Sequence, residues 1–191
     1  MSARSLADSH LRLAGWLSLL SAIITLPLFI LAFIAASEVQ VSGLSLLSTL
    51  AFIFHTGIYC YVYLTFRDFL HTHFSFTKVD RQINIIVGIS VIAAVMDVLA
   101  FIFSSAQDVV SFLTFFLIIP LGIVSIQMGL SLLQLKDSLS GLKNVFSYLL
   151  IFVGVFLVSI VLLIPGLLLG IVVDVVLGII LLRAAMEMDK R

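Results

Sequence analysis

Three ionisable residues lie inside long apolar stretches of this 191-residue chain: His55, Asp97 and Asp174. Gln127 is a fourth and weaker polar residue in the same kind of setting. Such groups are expensive in hydrocarbon, so they face protein or a cavity and are functional candidates by default. Together they are candidates for lining the path of a small solute or ion. Each also has a plainer role, as a hydrogen-bonded group that joins helices.

Spacing gives Asp174 its setting. Gly166, Gly170, Asp174 and Gly178 recur every four residues and share one helical face. Small residues at that interval let helices approach closely, so the face is expected to pack on a neighbour and turn Asp174 towards protein. Asp97 shares a face with Ser90, Ala93 and Ala94, and His55 with Ser48, Ala51 and Tyr59. By helical rise, His55, Asp174 and Gln127 lie about 12–17 Å from one membrane surface, and Asp97 about 21 Å. The expectation is one mid-membrane polar layer built from His55, Gln127 and Asp174.

Recognised reaction chemistry is missing from the sequence. It has no Gly-rich phosphate loop, HExxH, Gly-x-Ser-x-Gly or CxxC. Asp97 and Asp174 differ in depth by about 8 Å, too far for carboxylates that share a proton. His71-Thr72-His73 has two imidazoles but no Cys or third His beside it, so no metal site is assigned. Only His55 is a histidine within a span, which excludes a bis-His haem, and no cofactor is expected. The reading leans against an enzyme.

The elements that position these residues follow from composition. The chain is 62% hydrophobic and 10% charged, with a mean hydropathy of +1.31. Soluble domains carry about 25% charged residues. Ten Lys/Arg balance ten Asp/Glu, so no basic surface for nucleic acid can be built. The class is an all-α integral membrane protein in one polytopic domain, 1–191. Apolar runs cover 13–36, 43–66, 83–104 and 109–135, then 145–182. The last would be about 57 Å long as one helix, nearly twice a bilayer. Pro165-Gly166 is a turn dipeptide, and splitting there gives helices 145–164 and 166–182. Six transmembrane helices result. The first is read as retained, since its apolar run exceeds a signal-peptide core.

Charge supports that count. Six spans put all ten Lys/Arg on one side and leave Glu38 and Asp108 as the only charges on the other. By the positive-inside rule both termini are cytoplasmic, in the cell membrane. Trp16, Tyr61, Tyr63 and Tyr148 fall near the same side, at the level where aromatic rings meet headgroups. The spans pair as three tandem hairpins. Leu64-Thr65-Phe66-Arg67-Asp68 and Leu133-Gln134-Leu135-Lys136-Asp137 end two of them alike, as a parallel repeat would.

Other features carry weaker expectations. Pro27 and Pro120 fall within spans, where they free a carbonyl and kink the helix. Phe69, Leu70, Phe74 and Phe76 in the loop from Arg67 to Gln82 suggest an interfacial or partner-docking segment. Ser18, Ser21 and Thr25 share a face of the first helix and are read as packing. Cys60 cannot form an internal disulfide, being the only cysteine.

Two functions compete. The favoured one is a non-catalytic membrane subunit or scaffold, embedded in lipid and packed against other membrane proteins or further copies of itself. Short loops and small-residue faces motivate it. The alternative is a small-solute or ion transport component using His55, Gln127, Asp174 and Asp97.

Overall fold

The computed structural model describes residues 3–36, 42–103, 107–136, 139, 141–159 and 162–189. These form six helices and no strand: α1 (Ala3–Ala36), α2 (Ser42–Phe74), α3 (Asp80–Ile102), α4 (Gln107–Leu133), α5 (Lys143–Val158) and α6 (Leu163–Asp189). Five are long and apolar enough to cross a membrane. α5 has 16 residues, about 24 Å by helical rise. Glu38, Asp137, Lys190 and Arg191 lie outside the described residues, as does the side chain of Asp108.

Helix limits differ from the apolar runs wherever a polar segment continues the helix. α1 already covers the polar N-terminal segment from Ala3, and α2 runs past Arg67 to Phe74. Ser75, at a φ of 50°, closes α2 in the left-handed region. The Phe76 N–H then donates to the Leu70 carbonyl at 3.2 Å. This turn carries Phe76 back into the bundle, where Phe69, Leu70 and Phe76 are all buried. The aromatic loop is therefore core, not a displayed docking segment.

α5 ends at Val158 and α6 begins at Leu163, so the two helices part before Pro165. Pro165 occupies the first turn of α6, where its missing N–H removes no intrahelical bond. Gly166 lets that turn lie against α5: a Cβ there would stand 2.9 Å from the Phe156 Cβ. Pro27 and Pro120 lie inside continuous helices.

Each helix packs on its neighbours in sequence, and α6 returns to α1, which closes a six-membered ring. Neighbours run antiparallel. His10 Nδ1 meets the Tyr61 hydroxyl at 3.0 Å while Ser21 meets His55 further along the same two helices. Arg67 donates to Asn84 Oδ1 at 2.9 Å and Lys78 to Gln134 Oε1 at 2.8 Å. One end of the ring thus gathers Arg67, Lys78 and Lys143, whose ammonium donates to the Leu135 carbonyl at 2.7 Å.

Glycines set how close two of the seams come. A Cβ on Gly122 of α4 would stand 2.8 Å from the Gly154 carbonyl of α5. A Cβ on Gly178 of α6 would stand 2.9 Å from the Gly15 carbonyl of α1. Near the basic end the ring is filled by large side chains, among them Phe66, Phe146, Met128, Leu132, Ile83 and Leu181, all buried. Further from that end the ring is hollow.

Candidate intramembrane binding cavity

The hollow is a cavity of about 420 Å³ lined by all six helices. Its wall surface is mostly hydrocarbon, with Leu the commonest residue. His55, Thr56, Tyr59 and Tyr63 from α2, Thr25 from α1 and Asp174 from α6 form its main polar side, and Ser90, Thr114 and Ser125 add hydroxyls elsewhere. Drug-sized ligands occupy cavities of roughly 300–1,000 Å³ that are mainly apolar with a few placed polar groups. This one has that size and that make-up.

The helix spacing explains the cluster. Ser18, Ser21 and Thr25 stand on one face of α1, three and four residues apart, and that face meets α6 across the Gly15–Gly178 seam. Ser18 Oγ donates to the Asp174 carbonyl at 2.7 Å, and Ser21 Oγ to Asp174 Oδ2 at 3.2 Å. Ser21 Oγ also lies 3.0 Å from His55 Nε2, and Thr25 Oγ1 lies 3.1 Å from the same nitrogen. Thr25 meanwhile donates to the Ser21 carbonyl at 2.8 Å. One chain of hydrogen bonds therefore runs from α2 through α1 to α6. Asp174 is 8% exposed and Ser21 1%, while His55 and Thr25 are half-buried at the cavity wall.

Aromatic rings continue this side of the cavity. The His55 and Tyr59 rings are 6.4 Å apart and nearly parallel, and those of Tyr59 and Tyr63 are 4.4 Å apart. Tyr63 is 2% exposed. It belongs to the cavity and core, not to a headgroup belt, whereas Trp16 and Tyr148 are exposed on the outer surface.

The structure brings His55 and Asp174 together and leaves the other two candidates apart. Gln127 is on the exposed face of α4, and α4 turns the buried Ser125 to the cavity instead. Asp97 is half-buried on α3 and is not among the cavity's lining residues. The glycine face of α6 divides: Gly178 packs on α1, Gly166 on α5, and Gly170 has open space before it and lines the cavity. Ser21 and Thr25 are the site residues that spacing alone left as packing. Their signal was present, as hydroxyls repeated along one face of an apolar helix, but their partners belong to other helices. Cys60 is half-buried and free. Among the described residues no group of three His, Cys, Asp or Glu side chains stands close enough to hold a metal ion.

Comparison with known proteins adds no relative: no family model, curated protein or solved structure matches this chain.

Proposed function

We propose that this is a six-span integral membrane protein that binds a small apolar or amphiphilic molecule inside its helical ring, as a transport or carrier component of the membrane. The observation that carries this reading is the cavity: about 420 Å³, lined by every helix, mainly hydrocarbon in surface, with Asp174 and His55 on its wall joined through the buried Ser21. A polar solute would need more polar lining than this. An amphiphile matches it.

In the proposed topology the basic end of the ring faces the cytoplasm with both termini, following the positive-inside rule. α5 crosses as the sixth span, and its position antiparallel between α4 and α6 supports this. The helices then form three tandem hairpins, α1–α2, α3–α4 and α5–α6.

The test is photolabelling in lipid nanodiscs with an alkyl diazirine, followed by peptide mapping. Adducts are expected on Tyr59, Tyr63 and Asp174, and Gly170→Phe, which would fill the cavity, should remove them. Adducts confined to outward residues such as Phe54, Ile92 and Phe112 in both proteins would overturn the reading.

A second reading, a subunit docked on another membrane protein or a second copy, has one observation in its favour. Gln127 presents an amide on the outside of α4, and in hydrocarbon an amide gains from a partner across a helix interface. The small-residue faces that first suggested docking are largely used within the chain, at the α1–α6 and α4–α5 seams.

A further inference from the structure

We infer that the molecule held in the cavity is a lipophilic amine: an ammonium group that pairs with Asp174, on an apolar body that fills the rest. This rests on the cavity being a binding site and adds what it selects.

The argument is a count of protons. A serine or threonine hydroxyl has one proton to donate. Thr25 gives its proton to the Ser21 carbonyl and Ser21 gives its own to Asp174 Oδ2. With those protons so placed, the Nε2–H of His55 is shared between the Ser21 and Thr25 oxygens at 3.0 and 3.1 Å, and His55 is assigned the Nε2–H tautomer. In a neutral ring this leaves Nδ1 with a lone pair. Ser18 gives its proton to the Asp174 carbonyl. Two further hydroxyls of the wall, Ser90 and Ser125, are likewise spent on the carbonyls four residues before them. What Ser18, Ser21, Thr25, His55 and Asp174 have left between them is acceptor capacity, on a carboxylate and an imidazole nitrogen, while the hydroxyls of Thr56, Tyr59, Tyr63 and Thr114 line other parts of the same wall. A ligand suited to it arrives with N–H protons.

Charge points the same way. A buried carboxylate needs a charged partner or it is costly. Arg67–Asp68 and His71–Asp80 are ion pairs at the basic end, away from Asp174. Among the described residues no Lys or Arg lines the cavity. An ammonium group on the ligand would be such a partner. Phe52, Tyr59 and Tyr63 supply aromatic rings to the same cavity, and aromatic faces attract an ammonium through the ring quadrupole. A bare metal ion is a poorer match, since hard cations take six or more oxygen ligands and this wall is mainly hydrocarbon. A carboxylate ligand would meet Asp174 as a like charge.

The experiment is competition against the diazirine labelling, in nanodiscs, at equal membrane-bound concentration. The probes are 4-phenylbutylamine, 4-phenylbutan-1-ol and 4-phenylbutyrate, which share a body and differ in the polar head. The amine is expected to displace the label at a concentration about tenfold below the alcohol, as hydrogen bonding to a charged group would give, with the carboxylate weakest. In Asp174→Asn the amine and alcohol should become equal while both still displace. Equal potency of amine and alcohol in the wild type, a carboxylate at least as potent as the amine, or an amine preference that survives Asp174→Asn would each overturn the assignment and leave the cavity reading intact. A label that never reaches the cavity defeats the cavity reading instead. The three-probe order in the wild type decides the matter even where the variant fails to fold.

Discussion

Glycine stands in two kinds of place in this ring, inside closely packed seams and on faces with nothing against them. At α4–α5 and α1–α6 the backbones approach so closely that Gly122, Gly154 and Gly178 have no room for a methyl group. On α2 and α3, Gly57 and Gly88 have nothing within 4 Å of where a Cβ would stand, and Gly57 is exposed. The former fix how close the walls come, and the latter hold no wall in place. The same residue type is thus a lock in one place and only a weak helix former in another. α3 is correspondingly the least buried of the five long helices.

The largest effect should come from filling a locked seam. Gly154→Leu would drive a side chain into the Gly122 carbonyl and the backbone and side chain of Ile126. Backbone cannot yield as a flexible side chain does, and overpacking costs about 1–3 kcal/mol even where neighbours can shift. Thermal unfolding in mild detergent should show loss of the folded protein or a large fall in its midpoint. A Gly154→Leu protein that melts with the wild type would mean that α4 and α5 do not pack as described.

The opposite sign is expected at the open glycines. Gly88→Ala and Gly57→Ala meet no atom, so each gains the helix propensity of alanine over glycine, about 1 kcal/mol or less. Their unfolding midpoints should rise slightly or hold. A clear fall in either would show that another helix packs against that face, and the contrast between the two kinds of glycine would dissolve.

How much of this was legible in the sequence depends on whether a residue's partner lay on its own helix. Apolar runs and the Pro165 region located six helical segments, because span length and hydropathy are local properties. The pairing of Asp174 with His55 was approached through depth, which helical rise supplies. Rotation was the weak coordinate. Gln127 has the right depth but is turned outward, and Gly170 shares a stripe with Gly178 yet faces the cavity. A stripe of four residues at i, i+4 spans several turns and drifts around the helix, so its ends meet different neighbours. The aromatics after Arg67 were misread for a related reason. Their burial depends on a left-handed turn at Ser75, and serine gives little warning of one. The locked glycines of α4 and α5 went unrecognised because a close approach is a property of two helices, and each sequence shows only half of it.

Gln127 supplies the smallest expected change and a control on the whole comparison. It stands on α4 between the buried Val124 and Met128, on the same helix as the locked Gly122 and Gly129, but faces outward. If the seam alone carries the stability of α4, Gln127→Leu should move the unfolding midpoint by no more than about 0.5 kcal/mol would, as for other surface changes. Leu and Gln have similar helix propensity, so little hides in the backbone. The same variant tests the docking reading, because an amide that bonds across an interface loses that bond as leucine. Self-association measured by energy transfer between labelled copies in vesicles should then fall while the melting of the isolated chain holds. A large fall in stability would instead place Gln127 inside the bundle and rotate α4, moving Gly122 off the seam that defines the comparison.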